Sequence, residues 1–164
     1  MRRMAMLTMA MVASALLWPA SVAAQAETSV TGAGAGVFPQ GASYLGVPLN
    51  SLTLGTGLSV AGTWALGQFQ TTLVGVVLGA IREIVVEGHA TGSVPSGPGT
   101  AVFSGTCTVD PGNGAPPLSG VPFTAAVAAS PDGTGTLALT LGGTNLPAAA
   151  VNEGYLTIRP LDEE

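Results

Sequence analysis

Short runs in which apolar and polar residues alternate strictly, set between glycines, constrain this chain more than any other feature. In AVFSGTCTV, Ala101, Phe103, Gly105, Cys107 and Val109 share one face, and Val102, Ser104, Thr106 and Thr108 share the other. A period of two is that of a strand with one buried side. VPFTAAVAAS repeats the pattern with Phe123, Ala125, Val127 and Ala129 inward, and TLALTL with Leu137, Leu139 and Leu141 inward. Between them Ser130-Pro131-Asp132-Gly133-Thr134-Gly135 reads as a tight turn, because proline presets a turn torsion and glycine accepts positive φ. These two strands form a hairpin. GYLTIRP closes the series, with Leu156 and Ile158 on one side and Tyr155, Thr157 and Arg159 on the other.

The first half is less regular. TGAGAGVFPQGASYLGVPLNSLTLGTGLSVAG fits two or three strands of open register, and Thr63 to Gly75 a further strand carrying Trp64 and Phe69. Residues 75–82 suit a helical stripe or a strand. β-Branched residues and flanking glycines favour strand, at least from Arg82 onward. No internal repeat of fixed period occurs. The expected fold is all-β: an antiparallel sandwich or a small closed barrel of about seven or eight strands.

The N-terminus reads differently. MRRMAMLTMAMVASALLWPASVAAQA carries two arginines, an apolar run and small residues ending Ala24-Gln25-Ala26, the layout of a signal peptide. Cleavage is expected after Ala26. The apolar run is short for a span of about 20 residues, and an uncleaved anchor is the alternative. The domain plan is therefore a leader over 1–26, one β-domain over 27–160 and an acidic tail over 161–164. The protein is expected to be secreted, with the choice between periplasm and medium left open.

Beyond Ala26 there is no lysine, and nine acids face two arginines, Arg82 and Arg159, a formal charge of about −7. Nucleic acid is a poor partner, since phosphate contacts need several cations. A single cysteine can form no internal disulfide, so packing must stabilise the domain. An outer-membrane barrel needs aromatic girdles at both interfaces, and seven aromatic residues ending in an acidic tail do not provide them. No membrane span is expected in the mature chain.

The segments AVFSGTCTV, VPFTAAVAA, TLALTL and EGYLTI, together covering about Ala101 to Ile158, resemble the small secreted bacterial domains called post-COAP. That resemblance implies a secreted all-β fold and supplies no catalytic residues.

Candidate sites are few. In EIVVEGHATG, Glu83, Val85, Glu87, His89 and Thr91 fall on one strand face, and Glu87 and His89 stand about 7 Å apart along it. Such a pair can hold two ligands of a metal or act as acid and base. The plainer reading is a solvated face, because zinc needs three or four protein ligands and no second histidine exists. Cys107 points inward, away from the exposed setting of a reactive thiol. GAGAGVF lacks the lysine of a phosphate loop, and DPGNG and SPDGTG read as turns rather than calcium loops. Trp64 is the one candidate for stacking on a ligand.

The expected function is that of a noncatalytic secreted domain acting through its faces or loops at the cell surface or outside the cell. It needs no cofactor or metal, and its protein or small-molecule partner is left open. The alternative is a carrier of small apolar ligands with an internal pocket, and the third reading is a hydrolase or metal-dependent enzyme built on Glu87 and His89.

Overall fold

A computed structural model describes residues 27–161. The expected leader and cleavage site, and the last three acids, lie outside the described residues. Ten strands run in chain order: β1 (Thr28–Val37), β2 (Ser43–Tyr44), β3 (Val47–Ala61), β4 (Trp64–Val77), β5 (Ala80–Val94), β6 (Thr100–Asp110), β7 (Leu118–Ala129), β8 (Gly135–Leu141), β9 (Thr144–Asn145) and β10 (Ala149–Pro160). All pairings are antiparallel. Consecutive strands from β3 to β8 pair in order, and β10 follows β8. β1 then pairs β10 along one edge and β3 along the other, which closes the ring. The fold is thus an eight-stranded barrel, with β2 and β9 as two-residue additions on β3 and β8. Of the two expected architectures, the barrel is the one formed.

The alternation read from sequence sets inside and outside. Phe103, Cys107 and Val109 on β6, Phe123, Ala125 and Val127 on β7, and Leu137, Leu139 and Leu141 on β8 are all buried. On β5, Ile84, Val86 and Ala90 point in, while Glu83, Glu87, His89 and Thr91 are exposed. Eight strands make a barrel just wide enough for side chains to fill. Here Phe69, Phe103 and Phe123 fill the middle. Phe69 stacks on Phe123 at 5.4 Å between ring centroids, and Phe103 meets them edge-on at 5.7 and 6.3 Å. Gly88 and Gly105 make room for this cluster, since a Cβ on Gly88 would come within 2.8 Å of the Phe123 ring. Thr71 is the buried polar residue of the core, and its hydroxyl donates to the Thr53 carbonyl at 2.6 Å.

Residues 75–82, which sequence left between helix and strand, are the tip of a hairpin. Val77 pairs with Ala80, and Leu78 and Gly79 between them have φ of 52° and 82°. Two positive φ values in a two-residue loop are the type I′ arrangement, whose twist matches that of the flanking strands. A helix is excluded by that reversal. The β2–β3 hairpin repeats it at Leu45 and Gly46, with φ of 49° and 76°. Its flanking residues Tyr44 and Val47 are buried.

Candidate functional site

β4 and β5 build the patch that holds two of the candidates. Glu87 lies opposite Gln70, and His89 opposite Gln68. Even spacing along both strands turns all four side chains outward, over a shallow hollow of about 200 Å³. The Gln70 amide donates to Glu87 Oε1 at 3.1 Å, which occupies the carboxylate in an exposed cross-strand contact. The other candidates do not join them. Glu83 lies four residues before Glu87, about 13 Å along the strand, opposite Val74. Trp64 lies six residues before Gln70, about 20 Å away along β4, and is 45 % exposed. An irregularity in pairing between Trp64 and Gly67 separates it further.

No cluster of three or more His, Cys, Asp or Glu side chains able to hold a metal occurs among the described residues. Cys107 and His89 lie on opposite faces of the sheet and cannot act together as nucleophile and base. Cys107 is registered against Gly88, so the thiol points into the barrel while His89 points out. Burial pushes the thiol above its ordinary pKa, and Cys107 Sγ donates to the Val121 carbonyl at 3.3 Å. Tyr44 is raised as well, by its own burial first and by the nearby Cys107 second. Both shifts favour the neutral form of the group.

The two aspartate loops are turns. Asp110 Oδ1 accepts the Gly112 amide at 2.9 Å. Asp132 Oδ1 accepts the Thr134 hydroxyl at 2.6 Å and the Thr134 amide at 3.0 Å. Those bonds, the hydroxyl first, hold the Asp132 carboxyl below its usual range. Each carboxylate caps its own loop.

Outside the barrel, the long strands show Gln68, Gln70, Glu87, His89, Thr106, Thr124 and Thr136 to solvent. Leu66, Val76 and Ile81 are exposed on the same strands, and apolar side chains fill the inside, where a transmembrane barrel has a polar interior. No helix among the described residues is long and apolar enough to cross a membrane. Larger hollows occur at the ends of the barrel, one of them of about 480 Å³ between the 93–100 loop and the start of β1. The alternation of apolar and polar residues carries no signal for it, because six of the thirteen residues in its wall are glycine or proline. No protein-family model matches this chain, and no curated protein or solved structure matches it either.

Proposed function

We propose that the chain is an exported, noncatalytic β-barrel domain that acts by contact with another molecule at its outer surface or loops. The observation that carries this reading is the filled interior. Phe69, Phe103 and Phe123 occupy the centre of the barrel, where a carrier would keep its pocket. The paired Gln70 and Glu87 argue in the same direction, since a general base needs its carboxylate directed at a substrate. Export rests on the leader, and the post-COAP resemblance of the second half agrees with it.

Native mass spectrometry of protein purified from its own host tests the proposal. The expected result is the mass of the polypeptide alone or of a complex with a macromolecule. A stoichiometric small apolar ligand would overturn it in favour of the carrier.

A further inference from the structure

The ring is complete in topology but not along its whole height. β10 is joined to β1 over its length, whereas β8 takes only Ala149 to Val151 on its other side. Beyond that, one main-chain bond reaches β10 from this side, the Leu156 N–H donating to the Gly133 carbonyl at 2.9 Å. In an antiparallel ladder main-chain groups alternate in direction from residue to residue. Leu156 faces away from β1, so Ile158 does too. The phase is fixed a second time by Leu161, whose N–H donates back to the Glu27 carbonyl on the β1 side at 2.7 Å. Pro160, next in phase with Ile158, has no N–H.

Both main-chain groups of Ile158 are therefore aimed into open space, with no protein partner among the described residues. That space is a groove. The hollow of about 480 Å³ meets a second of about 290 Å³, and both are lined by Gly99 and Ile158.

We propose that this free edge of β10, from Leu156 to Pro160, is a docking site for an extended peptide segment of another protein that carries an acidic side chain. The proposal rests on the contact-domain reading above and names its partner. An N–H and a C=O on one residue, aimed the same way, are matched by one residue of an antiparallel strand that exchanges both bonds. Three or four residues of such a strand span about 10–13 Å. The partly buried apolar side chains of Val60 and Ile158 favour apolar residues at the inward positions of the peptide. Charge selects the outward position. Among the described residues, Arg159 is the one charged residue lining either hollow, in a chain whose formal charge beyond Ala26 is about −7.

The test is amide chemical-shift mapping of the exported protein with the capped pentapeptide Thr-Val-Glu-Val-Thr. Shifts confined to Gly99, Ala129 and Leu156 to Arg159 are expected. Replacing the peptide's glutamate with lysine weakens binding by about threefold or more, the scale of one exposed ion pair. N-methylation of both valine amides abolishes it. Arg159→Glu reverses the preference between the two peptides without moving the melting temperature. Should that variant fail to fold, the N-methylated peptide on the unaltered protein still decides. Absence of binding, or binding that survives N-methylation, overturns the proposal. Sedimentation showing that the edge is used by a second copy, through a dimer lost in Ile158→Pro, overturns it as well. A peptide that shifts only distant loops refutes the site while leaving the contact-domain reading intact. A small molecule found inside the barrel refutes that reading itself.

Discussion

Leu78→Asn should stabilise the protein, and Leu45→Asn should not. Both leucines sit at the first position of a type I′ turn, at φ of 52° and 49°, where asparagine and glycine are favoured. An L-residue in this region is strained by roughly 1–2 kcal/mol relative to its right-handed conformation, and asparagine recovers part of that, about 0.5–1 kcal/mol by this reckoning. What separates the sites is burial. Leu78 is 103 % exposed and gives up no packing, so relief of strain wins. Leu45 is 50 % exposed. Half of a leucine's burial is worth about 1 kcal/mol, which cancels the gain. Thermal denaturation followed by circular dichroism should show Leu78→Asn raising the midpoint by about 2–4 °C and Leu45→Asn leaving it nearly unchanged. Equal stabilisation by both would show that burial at Leu45 contributes nothing. Destabilisation by Leu78→Asn would show that its side chain makes a contact that outweighs the strain.

Phe123→Ala opens the aromatic cluster and should lower stability by about 3–5 kcal/mol, as large-to-small changes of buried rings do; a chemical denaturation curve showing less than about 1 kcal/mol would mean that the barrel collapses around the gap. Replacing Glu87 and His89 together by threonine removes one exposed contact and inserts two good strand formers, so the melting point should stay within a few degrees with or without added zinc. A metal-dependent loss would restore the site reading. The raised pKa of Cys107 means that the folded state holds the neutral thiol, so stability is intact below the thiol's unfolded value and falls as pH rises through the folded one. Cys107→Ala should flatten that first alkaline decline in a pH series of melts, and an unchanged slope would assign the decline to Tyr44 instead. Sequencing of exported protein should find Glu27 first, and retention of Met1 would point to an anchor.

The strands of the second half were legible because one face of each is buried and the other wet. Phe103, Cys107, Leu139 and Leu156 all lie where a period of two puts them. The hairpin at 75–82 was not legible, because leucine occupies a position that asparagine or glycine normally marks. Without that signal, Val77, Leu78, Ile81, Ile84 and Val85 suit a helical stripe as well as a strand, and only the β-branched residues and flanking glycines tip the balance to strand. Barrel closure was hidden for a different reason. It depends on β1 pairing with a strand more than a hundred residues away, and Thr28 to Val37 is so rich in glycine that its register carries little pattern. The patch of Glu87 and His89 was legible as a strand face. Its partners Gln68 and Gln70 required the β4–β5 register.

A chain with 8 % charged residues has little with which to protect a sheet edge. Exposed edges are usually guarded by lysines, prolines or inward charges, because unpaired main-chain groups recruit other strands. Closure removes that need around nearly all of the barrel, which lets threonine and glutamine suffice on its outer face. A gap remains beside β10, and there the usual guards reappear. Pro95, Pro98, Pro131 and Pro160 line its two hollows, and Arg159 stands at its rim. Proline at 160 deletes one donor of the free edge, and the Gly133 carbonyl occupies another at Leu156. The Ile158 donor and acceptor between them are left open. A seam guarded against open-ended sheet growth, yet keeping one residue able to exchange a pair of bonds, fits recognition of a short extended segment better than it fits an unprotected edge.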